Sequence, residues 1–83
     1  MAETAQPDFH IGRLIRAELD RQKRPVTWLA ERINCDHTNC YLIFDKQYID
    51  VPLLCRISKA LDHNFFNELA AYMERVVKLS TDV

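Results

Sequence analysis

One glycine in 83 residues, Gly12, is the feature that most restricts this chain. A fold of many short strands would lack turn residues. With 48% apolar residues the chain is also too hydrophobic for disorder. What fits is a set of helices joined by brief turns, in one domain with one modest core. A chain of this size buries only about 60% of the surface that its unfolded form exposes, so stability is marginal unless a second copy helps.

Five helices can be read along the chain. Residues 1–8 are small and polar, an expected frayed tail, and the predicted domain covers 9–79, with 80–83 a second tail. Asp8 is the expected cap of a first helix over about Phe9 to Gln22, with Ile11, Leu14, Ile15 and Leu19 at helical spacing and Gly12 a mild weakness within it. Arg24-Pro25 breaks that pattern and opens a second helix, where Val26, Leu29, Ala30 and Ile33 form a stripe that ends at Asn34. Asp36 is the expected cap of a third helix with Cys40, Ile43 and Phe44 on one face. Asp50-Val51-Pro52 opens a fourth, with Leu53, Leu54, Ile57 and Leu61 as its core stripe. A final helix over 64–79 has Phe66, Leu69, Met73, Val76 and Val77 at helical spacing.

No apolar run approaches the roughly 18 residues that a membrane span needs. The first eight residues carry neither a basic nor an apolar segment of signal-peptide type. Three cysteines cannot all pair within one chain, and Cys40 and Cys55 fall on apolar stripes, where a reduced thiol acts as a small hydrophobe. A cytoplasmic, reducing setting is therefore expected. The formal net charge is −1, low for a nucleic-acid binder. Between Ile11 and Pro25, however, Arg13, Arg16, Arg21, Lys23 and Arg24 face only Glu18 and Asp20.

Two short helices across a tight turn, within Val26 to Phe44, have the form of a DNA-reading helix-turn-helix, whose second helix enters the major groove. Residues that reach base edges are short or flexible polar groups near that helix's start. His37, Thr38 and Asn39 stand there, and Asn39 has the amide that pairs with adenine; the plainer reading is a solvated helix start.

Three segments, in order, resemble the lambda-repressor-like, or Xre-type, domains, in particular a subgroup of small bacterial members. These are Leu29-Ala30-Glu31-Arg32-Ile33, Asn39-Cys40-Tyr41-Leu42-Ile43-Phe44, and Leu53 to Leu61 followed by Phe65-Phe66. The likeness spans about Ile11 to Leu69. It implies an all-α, compact five-helix bundle, sequence-specific binding of double-stranded DNA, and transcription control, often as a dimer. His37, Thr38, Asn39 and Leu42 are then the candidates for base reading, and Arg13, Arg16, Arg32, Tyr41 and Lys46 those for the DNA backbone. The chain would be associated with the nucleoid. It departs from the family in carrying Val26 where Gln is common, Asp36 and His37 where the subgroup has Arg or Lys, Asn34 in place of the turn Gly, and Asp45 at the third helix's end.

Other classes fit less well. Cys35, His37 and Cys40 suggest zinc, but they lack a fourth ligand and a paired C-x-x-C, so no metal and no cofactor is expected. The scattered His10, His37 and His63 sit near no framed nucleophile, which argues against an enzyme. A protein-binding role is the competitor. Trp28 lies off its helix's apolar stripe, and the last helix carries Phe65, Tyr72, Met73, Val76, Val77 and Leu79, more apolar surface than a small core hides. A homodimer through this helix is the simplest use; the same scaffold could instead bind a toxin or another regulator.

Overall fold

The computed structural model describes residues 9–80, with side chains as far as Lys78. Of the two expected tails, residues 1–8, with the proposed Asp8 cap, and 81–83 lie outside the described residues, as does the side chain of Leu79, while Ser80 closes α5. The fold is all-helical: α1 Ile11–Arg21, α2 Val26–Arg32, α3 His37–Phe44, α4 Val51–Leu61 and α5 Phe65–Ser80. Among the described residues there is no strand, and no helix is long and apolar enough to cross a membrane.

Side-chain caps start three of these helices as the sequence predicts or nearly so. Asp36 accepts from the Asn39 N–H and Asp50 from the Leu53 N–H, both at 2.9 Å. At α1 the expectation is corrected: His10 is the cap, its Nδ1 accepting from the Arg13 N–H at 3.1 Å. The helix begins two residues after Phe9 because Phe9 is used elsewhere, stacked on Tyr72 of α5 with ring centroids 5.0 Å apart.

The helix ends are made without glycine. Lys23, Asn34 and Asp62 each take positive φ, at 58°, 60° and 53°. Behind each, two backbone N–H groups close the exposed carbonyls of α1, α2 and α4 in the paired pattern of a Schellman turn, as in Asn34 N–H to Glu31 and Cys35 N–H to Ala30.

The core is built from Ile15, Leu19, Leu29, Cys40, Ile57, Leu61 and Phe65, all with essentially no exposure, and is extended by Ile11, Ile33, Ile43 and Leu54. Gly12 has a role that a weak helix position would not. Its missing Cβ would lie 2.4 Å from the Phe44 carbonyl oxygen and 2.6 Å from that of Ile43. The close approach lets the first N–H groups of α1, from Ile11 and Gly12, donate to the Gln47 and Lys46 carbonyls at 2.9 and 3.0 Å. The start of α1 is thereby tied to the end of α3.

The far ends of α1 and α4 meet α5 through a polar cluster. Glu18 is buried and accepts from Arg21 and Gln22, and Gln22 also donates to the Leu61 carbonyl at 2.7 Å. His63 stands 3.8 Å from Glu18 and 3.0 Å from Glu68. In α5 the buried side is led by Phe65 and continues through the half-buried Phe66, Leu69 and Tyr72, whereas Met73 and Val77 are exposed. The expected stripe through Met73 and Val77 is thus corrected.

Candidate nucleic-acid interface

The α2–turn–α3 unit is held from within. Ala30 is buried at 1% exposure, its carbonyl accepts from the Cys35 N–H at 2.9 Å, and the Asp36 cap then starts α3. Buried Cys40 and Ile43, with half-buried Phe44, define the inner side of α3. At about 100° per residue, Thr38, Leu42 and Asp45 lie opposite. Asn39 falls on one flank of that outer stripe and Tyr41 on the other; His37 is in the first turn, and Lys46 follows the end of the helix. All seven side chains are exposed.

The Tyr41 flank meets α1. Tyr41 packs edge-on against Phe44 at 6.0 Å, and the Arg16 guanidinium stands 5.2 Å from the Phe44 ring centre. Arg16 also pairs with Asp20 at 3.5 Å. The Gly12 to Lys46 hydrogen bond sets Arg13, the next residue of α1, and Lys46 at the same end of α3. The structure therefore brings Arg13, Arg16, Tyr41 and Lys46 to the borders of α3.

Arg32 is not part of this group. It lies on the opposite flank of α2, with Trp28, and shares a groove of about 260 Å³ with Arg56, Lys59 and Ala60 of α4. On the α3 side of α2 stands Glu31, which lines a groove of about 450 Å³ with Cys35, Asp36, His37 and Thr38. Carboxylates of Glu31 and Asp36 thus stand at the start of the outer stripe and that of Asp45 at its end. Two large side chains of α3 itself, Tyr41 at 55% and Leu42 at 51%, are exposed, as are Tyr48 in the connection to α4 and Val51 at the start of α4.

Burial pushes the Cys40 thiol up to about 11, and the neighbouring Cys35 adds to the shift. Metal binding needs the thiolate, so this position favours core packing over coordination. Among the described residues no three His, Cys, Asp or Glu side chains are grouped to hold a metal ion.

Of the residues proposed for a partner surface, Phe65 is fully buried and belongs to the core, which corrects its place in that group. Trp28 is half-buried and carries Arg24 and Arg32 over its ring at 4.2 and 5.1 Å. Tyr72 is half-buried under Phe9, Val76 is half-buried, and Met73 is 44% exposed. The sequence pattern places Arg24 only in the basic stretch before Pro25 and marks no site role for Glu31, Tyr48, Val51, Arg56 or Lys59. Only the first had a local signal, the Arg24, Trp28, Arg32 spacing of four residues.

A comparison of the chain with models of known protein families, with curated proteins and with solved structures finds no match, so its likeness to the lambda-repressor-like domains rests on the sequence segments that carry it.

Proposed function

We propose that this chain is a lambda-repressor-like DNA-binding protein that reads the major groove with α3. The observation that carries the reading is the division of α3 into a bolted inner side and an open outer stripe. Cys40 and Ile43 fix the helix, while Thr38, Asn39 and Leu42 are free to meet base edges. An Asn amide suits adenine, and a Leu suits a thymine methyl. Arg13, Arg16 and Lys46 beside the stripe would meet phosphates, each adding about one unit of salt dependence. A second copy joined through Met73 of α5 would present two reading helices to half-sites roughly 34 Å apart. Such a protein would act in the cytoplasm, on the nucleoid, as a transcription regulator.

A second reading has its own support. The carboxylates of Glu31, Asp36 and Asp45, together with exposed Tyr41 and Leu42, suit a protein partner on the same face better than a polyanion. Binding to mixed genomic DNA at low and moderate salt, measured beside an Arg13→Glu/Arg16→Glu variant, separates the two. Weak, salt-sensitive binding that the variant loses supports DNA reading; affinity indifferent to salt and to the variant supports the protein partner.

A further inference from the structure

Four cations gather on the flank of the molecule that α3 does not use. Arg24 and Arg32 bracket Trp28, and Arg32 converges with Arg56 and Lys59 on the groove between α2 and α4. All four are exposed. Among the described residues the ion pairs join Arg16 to Asp20, Arg21 and His63 to Glu18, and His63 to Glu68, and none of them involves these four cations. Asp62 lines the adjoining groove with Lys59 but forms no ion pair with it. Unpaired positive charge is thus concentrated here in a chain whose net charge is −1.

We propose that this flank docks an acidic polypeptide segment, which places Asp or Glu carboxylates in the groove of Arg32, Arg56 and Lys59. Two guanidinium forks and an ammonium facing one short groove match carboxylates, which a guanidinium binds in bidentate fashion. Nucleic acid fits less well. A single strand needs an open aromatic face for stacking, and the Trp28 ring already carries two guanidinium groups. A duplex needs cations spread along several phosphates, whereas three here converge on a groove of about 260 Å³. Arg32 and Glu31 lie on opposite flanks of α2, with Glu31 on the side of α3, so a segment docked here leaves the outer stripe of α3 uncovered. The proposal stands whether or not α3 reads DNA.

The single tryptophan of the chain lies in this flank, so its emission reports on Arg24 and Arg32. The probe is a short fluorescein-labelled peptide of alternating Glu and Ser, titrated at low and moderate salt. The expected result is a change in Trp28 emission and a rise in label anisotropy. Affinity should weaken with salt and fall about tenfold or more for Arg56→Glu/Lys59→Glu, and likewise for a peptide with Gln in place of Glu. The variant is checked for unchanged helicity and melting temperature, and Arg56→Gln and Lys59→Gln stand in if it fails that check. The Arg13→Glu/Arg16→Glu protein should bind the peptide undiminished. Absence of peptide binding, or equal binding by the Gln peptide or by the Arg56 and Lys59 variants, would overturn the proposal. So would loss of binding to a short duplex or single strand, in place of the peptide, when Arg56 and Lys59 are changed.

Discussion

Gly12→Ala should destabilise the protein although it improves a helix. Alanine is favoured over glycine by about 1 kcal/mol inside a helix, so local propensity alone makes the variant more stable. The structure reverses the sign. The new methyl would sit 2.4 Å from the Phe44 oxygen and 2.6 Å from the Ile43 oxygen, roughly 1 Å inside ordinary contact. Both obstacles are backbone and cannot rotate away. Relief requires the start of α1 to retreat from α3, which lengthens the 2.9 and 3.0 Å bonds to Gln47 and Lys46. Overpacking costs about 1–3 kcal/mol and each weakened bond about 1 kcal/mol. After the propensity gain, a net loss of about 2–4 kcal/mol remains. That is a large share of the roughly 4–12 kcal/mol available to a domain of this size, and corresponds to a melting temperature lower by about 10–25 °C. Thermal unfolding followed by far-UV circular dichroism measures it, with Ala17→Gly on the exposed side of the same helix as the control for propensity. A Gly12→Ala protein as stable as the parent, or more so, would refute the close approach of α1 to α3.

Other perturbations test other parts of the fold. Lys23 holds φ at 58° without being glycine, so Lys23→Gly should add about 1 kcal/mol and raise the melting temperature by about 4–8 °C, read in the same unfolding experiment. Hydrogen bonds from Arg21 and Gln22 hold the Glu18 carboxyl down to about 2 from its usual 4.5. A depressed carboxylate gives stability that is present above pH 4.5 and lost as pH falls toward 2. Melting temperatures should therefore decline across that window, and Glu18→Gln should flatten the decline; an unchanged slope would show that the cluster does not form. The Ser58 hydroxyl is buried with no hydrogen-bond partner among the described residues. Ser58→Ala should be neutral or stabilise by up to about 1 kcal/mol, and a clear loss in denaturant unfolding would mean that the hydroxyl is bonded after all.

What the sequence made legible was local. The caps at Asp36 and Asp50 and the left-handed Asn34 depend on residues a few positions away, and each stands where the spacing predicts. α1 starts two residues later than the spacing predicts because Phe9 answers to Tyr72, more than sixty residues later, and no local pattern records that stacking. The same contact helps decide which face of α5 is buried. An apolar helix with Phe65, Phe66, Leu69, Tyr72, Met73, Val76 and Val77 offers two overlapping stripes, and only packing of Phe65, Phe66, Leu69 and Tyr72 against the core selects the one led by Phe65. Exposure of His37, Thr38 and Asn39 could be read from position, since they follow a cap and precede the first buried residue, Cys40. The separation of Arg32 from Arg13 and Arg16 could not. It depends on α4 packing against one flank of α2 and α3 against the other.

Amide chemical shifts, followed while a mixed-sequence DNA duplex is added to isotopically labelled protein, locate the surface that meets nucleic acid. If α3 reads the groove, the largest changes fall at Thr38, Asn39, Leu42 and Lys46, with smaller ones at Arg13 and Arg16. Changes confined to Arg32, Arg56 and Lys59 or to α5, or none at all at low salt, would contradict it.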